Sequence, residues 1–162
     1  MPRLVCALGA ALLLAAPAFG ASITRHATTA SYRLTLAVGP TEAMYTAAEV
    51  KAKHPKSGEV MVGDAMSTGG MSMKGVNRHL EVHLVSRKTG KVVADAKPAI
   101  VLDDESGMGM GMNEKVNAMA MEGIGAGVAD LHYGDNVKLT AGHVYKVVVT
   151  VWGEKATFSF KA

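Results

Sequence analysis

The stretch LTAGHVYKVVVTVW, Leu139 to Trp152, decides the fold class. Leu139, Gly142 and Tyr145 have the spacing that leads into a late strand of an immunoglobulin-like sandwich through a tyrosine corner, in which the phenol bonds back to backbone just upstream. In the strand that follows, Tyr145, Val147, Val149 and Val151 share one face, the period of two expected of a half-buried strand. Ala156, Phe158 and Phe160 alternate in the same way, so two long strands finish the chain.

Working towards the N-terminus, the same period recurs. His132 lies at the end of an expected short strand over 129–132, Asn136–Leu139 forms another, and Gly134 with Asp135-Asn136 places a bend between them. Residues 76–86 make the clearest strand of the middle region, and the turn signal Lys88-Thr89-Gly90 lets Lys91–Ala94 return as a hairpin. Further strands are expected at 98–102, near 116–121 and at 59–63. Tyr32, Leu34, Leu36 and Val38 alternate before Gly39-Pro40. Residues 22–29 read as a polar lead-in, and 41–53 can hold a helical turn or two before His54-Pro55 stops it. About seven or eight short strands with no sustained helix predict an all-β chain, an immunoglobulin-like antiparallel β-sandwich.

Arg3, the apolar run Leu4–Ala16 and the small residues Pro17 to Ala21 form a signal peptide, too short to span a bilayer comfortably. The expected organisation is a leader over 1–20, removed by cleavage, and one domain over 21–162. The chain is 162 residues long, enough for a single proper core. Its single cysteine, Cys6, falls inside the leader, so no disulfide and no thiolate ligand is expected in the mature protein. That also excludes blue-copper electron transfer. Loss of Arg3 lowers the formal charge from +3 to +2, too little to argue for nucleic acid or an anionic membrane. The expected location is the periplasm.

The residues that can carry chemistry are histidines and methionines. In NRHLEVHL, residues 77–84, alternation puts His79, Glu81 and His83 on one strand face and Leu80, Val82 and Leu84 on the other. His79 and His83 are four residues apart, which at ~3.3 Å per residue separates their backbones by ~13 Å, so only one is expected to ligate a given ion. A solvated strand face is the alternative. The strand period also separates this spacing from the helical metalloprotease pattern. The second histidine motif is LHYGDNV, residues 131–137.

Of the 11 methionines, all but Met1 and Met44 fall in two windows, 61–73 and 108–121. Core packing accounts for Met61, Met119 and Met121, which lie in expected strands. Packing explains Met71, Met73 and the alternation Gly107 to Met112 less well, because loops would expose oxidisable thioethers there. Thioether and imidazole together suit copper, and imidazole also suits iron. No nucleophile–base arrangement is apparent, and Gly123-Ile-Gly125-Ala-Gly127 precedes an expected strand, so an enzyme is not expected.

The HLE of the middle strand, the later HYG-D-N, methionines shortly before the first histidine and Glu42-Ala-Met44 after the first long strand resemble the periplasmic iron-transport family over roughly residues 30–160. Members are small immunoglobulin-like sandwiches, commonly dimeric, that bind copper through methionine and histidine and assist an inner-membrane iron permease. The resemblance implies a non-enzymatic metal-binding protein of iron or copper transport, holding copper, with iron as the alternative, and forming a homodimer. It assigns His79 and His132 as ligands, Met71 or Met73 as the thioether, and Glu42 or Met44 as neighbours of a second ligand set. Ser72 stands between the two methionine candidates, Asn77-Arg78 replaces an acidic pattern, and the Gly-Met run has no counterpart. Two other readings are a copper chaperone or resistance protein with Met-rich Cu(I) loops, and an assembly or adhesion sandwich that uses no metal.

Overall fold

The computed structural model describes residues 22–63, 75–107 and 113–162. The expected leader and Met66, Met71, Met73, Met108, Met110 and Met112 lie outside them. The described strands are β1 (Ile23–Thr28), β2 (Tyr32–Gly39), β3 (Met44–Tyr45), β4 (Glu59–Met61), β5 (Arg78–Ser86), β6 (Ala99–Asp104), β7 (Glu114–Val116), β8 (Met119–Gly123), β9 (His132–Val137), β10 (Val144–Val151) and β11 (Glu154–Lys161). They form a seven-stranded sheet in the order β1-β2-β5-β9-β8-β4-β3 and a four-stranded sheet in the order β11-β10-β6-β7. All pairs are antiparallel except β3 with β4.

The alternation read from the sequence becomes the core. Leu34, Leu36, Leu80, Val82, Leu84 and Tyr133 from the large sheet pack against Ile100, Leu102, Val147, Val149, Phe158 and Phe160 from the small one. Fully burying each large side chain contributes about 1.5–3 kcal/mol, so this layer dominates the stability. The tyrosine corner forms as expected: the Thr140 amide donates to the Tyr145 hydroxyl at 2.8 Å. At the β10–β11 turn, Trp152 and Gly153 have φ of 45° and 84°, the left-handed pair that matches hairpin twist.

The connection after β2 carries a helix, α1 (Ala47–Lys53). Its start is a capping box, in which the Thr46 hydroxyl accepts from the Glu49 amide and the Glu49 carboxylate accepts from the Thr46 amide. His54 ends it in the left-handed conformation, one residue before Pro55. Helix and connection lie against β3 and β4, at one side of the large sheet.

Four local expectations need correction. The polar lead-in is a strand, because β1 pairs with β2 along its whole length and an edge strand tolerates polar residues. Lys91–Ala94 forms no strand. After the bridge of Val85 with Val92, the chain leaves so that the Ala96 amide can reach the Tyr133 hydroxyl at 3.0 Å. Residues Gly127–Asp130 make a 3₁₀ turn where the start of a strand was expected. Nor does Gly134 bend the chain: β9 runs straight through it. A Cβ there would lie 1.8 Å from the Leu80 carbonyl oxygen, so the glycine serves the close approach of β9 to β5.

Candidate metal centre

The outward face of the large sheet collects the chemistry. Register places His79 opposite Asn136 and Glu81 opposite Gly134 across β5–β9, Met121 opposite His132 across β9–β8, and Glu59 opposite Gly123 across β8–β4. Although this is the face away from the other sheet, His79 and His132 are 0% and 1% exposed and Glu59 is 7% exposed. A polar cluster buried this deeply must be satisfied by something.

Both imidazoles are held in one tautomer. His132 Nδ1 lies 2.8 Å from the Asp130 carbonyl oxygen. A carbonyl can only accept, so Nδ1 carries the proton and Nε2 the lone pair. The Asp130 segment is itself anchored, because its carboxylate accepts from the Gly123 amide at 3.1 Å. A Cβ on Gly123 would come within 2.5 Å of that carboxylate oxygen, which explains the glycine.

His79 is fixed by a longer chain of reasoning. The Asn136 amide nitrogen donates to the Glu42 carbonyl at 2.8 Å, and its oxygen accepts from the Glu42 amide at 3.1 Å. That sets which end of the side-chain amide is oxygen. His79 Nδ1, 3.1 Å from the same oxygen, must therefore donate, leaving Nε2 as a lone pair. Second-sphere acceptors of this kind orient metal-binding histidines.

The two lone pairs meet a carboxylate. His132 Nε2 is 3.6 Å from Glu59 Oε2. Neither atom, nor His79 Nε2, has a hydrogen-bond partner among the described residues, although all three are buried. Leaving such atoms unsatisfied costs about 1–3 kcal/mol each. Candidate ligand atoms of Glu59, His79 and His132 all lie within 4.8 Å of one another. Two ligands of a four-coordinate ion with bonds of ~2.0–2.1 Å stand ~3.3 Å apart, so small side-chain movements would close this set on one ion.

A second set shares His132. Glu81, His83 and His132 also place candidate atoms within 4.8 Å of one another. The His132 ring stands 5.7 Å from that of His79 and 5.2 Å from that of His83. The strand spacing between His79 and His83 does keep them apart, and His132 from the neighbouring strand fills the gap, which adjacency along one strand could not reveal.

Electrostatics follows burial and charge. Burial, then the charges of Glu81, Asp130 and Glu42, pushes the Glu59 carboxyl up to about 7. Burial holds His79 below the usual imidazole range, with the neighbouring His132 acting in the same direction. Its hydrogen bond with His83 Nε2, at 3.2 Å, holds the Glu81 carboxyl down. Burial and the Glu81 charge raise Glu42.

Among the expected site residues, His79, His83 and His132 come together. Glu42 enters through its backbone, and Met44 sits opposite Glu59 in the β3–β4 pair. Met71 and Met73 lie outside the described residues. Four contributors were missed. Glu59 sits in a three-residue strand with no local signal, and Asn136 and Asp130 read as turn formers. Glu81 shares the face of the two histidines, so strand parity could have added it. Met61 and Met121, expected to pack the core, are 5% and 0% exposed yet stand apart from the hydrophobic cluster between the sheets.

No family model matches the chain, and no curated protein matches it significantly in sequence. Solved structures do match. FetP of uropathogenic Escherichia coli strain F11, in the as-isolated form expressed in the periplasm, superposes with a TM-score of 0.58 at 14% identity, covering 88% of this chain and 97% of FetP. A copper-bound Glu-to-Gln variant of FetP gives a TM-score of 0.55 at 12% identity, covering 87% and 97% of the two chains. At this identity the likeness is one of architecture, and the chain is an all-β sandwich with the fold of FetP.

Proposed function

We propose that this chain is an exported metal-binding protein that holds copper through His79, His132 and Glu59, with His83 and Glu81 as an adjoining set that shares His132. One observation carries the reading. Two buried imidazoles are locked by Asp130 and Asn136 with their lone pairs turned towards a buried carboxylate, and none of the three facing atoms has another partner among the described residues. Nitrogen and oxygen donors suit Cu(II), and an added thioether from Met71 or Met73 would extend the set to Cu(I).

One of the solved structures named above is a copper-bound protein, which supports copper over iron as the first metal to try. The proposed role is delivery or capture of metal in the periplasm, without turnover, beside an inner-membrane iron permease, with the protein as a homodimer. Iron itself is the alternative cargo, and the Gly-Met run over 107–112 is proposed as a secondary Cu(I) capture loop.

Anaerobic titration of the mature protein with Cu(I), Cu(II), Fe(II) and Fe(III), with competing chelators, tests the reading. Tight binding of about one copper to the primary set is expected, abolished by His132→Ala. Absence of tight binding for every one of these ions would sink it.

A further inference from the structure

Trp152 is the only tryptophan of the chain, and it stands where folding alone would place another residue. It takes the first central position of the two-residue turn between β10 and β11, with φ of 45°, and Gly153 follows at 84°. Such turns favour Asn, Asp or Gly there, because a bulky side chain strains the left-handed backbone. The residue is nonetheless 59% exposed. Its ring contact with Tyr32, at a centroid distance of 5.6 Å, leaves most of the indole in water.

Three turns meet around this ring, over residues 29–31, 86–91 and 152–155. Glu154 accepts from the amide and the hydroxyl of Ser31, which ties the hairpin tip to the first turn. Arg87 ties the first turn to the second, because its amide donates to the Ser31 carbonyl at 2.9 Å and its guanidinium to the carbonyls of Thr29 and Ala30. A pocket of about 570 Å³ lies there, lined by Ala30, Ser31, Tyr32, Ser86, Arg87 and Lys88. The charge on these turns is one-sided. Arg87, Lys88, Lys91 and Lys155 are all exposed, against one carboxylate, Glu154, already engaged by Ser31. None of the three lysines joins an ion pair among the described residues. The small net charge of the whole chain conceals this concentration.

That chemistry favours an anionic bilayer surface over a protein partner. Tryptophan settles at the level of lipid headgroups, where its apolar body and its polar N–H are both accommodated. Lysine attracts a negative surface as a point charge, and protein interfaces are depleted in it. One projecting ring offers about 150–250 Å², well short of the ~1,000 Å² expected of a specific protein interface.

We propose that the end of the sandwich carrying Trp152, Arg87, Lys88, Lys91 and Lys155 docks on anionic phospholipid, with the indole at headgroup depth. His79 lies near the other end of β5 from Ser86, ~23 Å along the strand, so docking leaves it away from the lipid. The proposal does not depend on the copper reading.

The test uses the intact mature protein, whose indole emission comes from Trp152 alone. Vesicles of equal parts phosphatidylglycerol and phosphatidylcholine are expected to shift that emission to the blue and to sediment the protein with them. Vesicles of phosphatidylcholine alone should do neither. Added salt should release the protein, since exposed charges are screened. Trp152→Asn suits the left-handed turn and should weaken vesicle binding about tenfold. Lys88→Gln and Lys155→Gln should each weaken it about fivefold. Arg87 is kept, because its bonds brace the first turn, and melting temperatures verify folding of the variants.

An emission that ignores anionic vesicles overturns the proposal. So does vesicle binding that persists unchanged in folded Trp152→Asn or in the folded double variant of Lys88 and Lys155. The same blue shift with soluble glycerophosphoglycerol would also overturn it, because the ligand would then be a free phosphate and not a surface.

Discussion

Glu59 Oε2 and His132 Nε2 face each other at 3.6 Å in a buried pocket, slightly beyond a hydrogen bond, and neither has another partner among the described residues. The pair is therefore a poor salt bridge and belongs to a candidate ligand set. The Glu59 carboxyl and the neighbouring His79 imidazole respond to pH in opposite directions.

A carboxyl raised from 4.5 to about 7 binds its proton more tightly in the folded state. The stabilisation is full below pH 4.5 and is lost as the pH rises to about 7, a change of about 3 kcal/mol. His79 works the other way: with its folded pKa below 6.5, its contribution is present above that value and is lost as the pH falls through the folded pKa. Glu59→Gln should abolish the first dependence and leave the second. Urea unfolding of metal-free wild type and variant, below pH 4.5 and above pH 7, checks this. A wild type and a variant with parallel profiles would count against it.

Copper must displace the Glu59 proton, so affinity for Cu(II) should rise with pH up to about 7. Competition titrations on either side of that value should show proton release in the wild type, with the Glu59 contribution absent in Glu59→Gln.

Asn136→Ala removes the acceptor that orients His79 and both bonds to the Glu42 backbone. The expected cost is about ten- to a hundredfold in copper affinity, with a lower melting temperature because the Glu42 segment loses its anchor. Full affinity in a folded variant would show that His79 needs no such support.

His143 offers the matched control. Its Nδ1 lies 2.7 Å from Asp104 Oδ2 in a partly exposed pair where β6 ends and β10 begins, outside both candidate ligand sets. His143→Ala should leave copper binding unchanged and cost no more than about 1 kcal/mol of stability. A loss equal to that of His132→Ala would redirect the search for the site.

Gly134→Ala should be severe, since the new methyl would meet the Leu80 carbonyl at 1.8 Å and force β9 away from β5. Overpacking of this kind costs about 1–3 kcal/mol or more. Denaturant unfolding measures that loss, and metal affinity should fall with it because both histidine strands shift.

The sandwich was legible because its strands are written in period-two patterns, and Leu139 to Tyr145 announced the corner. Strand β1 was hidden because an edge strand needs no apolar face, and the straight course through Gly134 because a glycine written for close approach looks like one written for a turn. His79 and His132 stood out as residues. The completing partners did not, since Glu59 meets His132 only through the parallel docking of β4 beside β3 and its pairing with β8. Pattern along a chain reports which face a side chain takes, and cross-sheet neighbours are settled by strand order.

The order of strands in the large sheet also sets a timetable. The candidate ligands lie on β4, β5 and β9, segments far apart in the chain, with β8 inserted between two of them. Contacts of such long sequence separation form late and slowly. An unfolded or half-assembled chain therefore has scattered histidines and no binding pocket, and an ion can be gripped only by the finished sheet. Loading then becomes a lock on assembly: ion at a hundred times its dissociation constant deepens the native well by about 2.7 kcal/mol, and its release returns the sheet to a state that opens more readily.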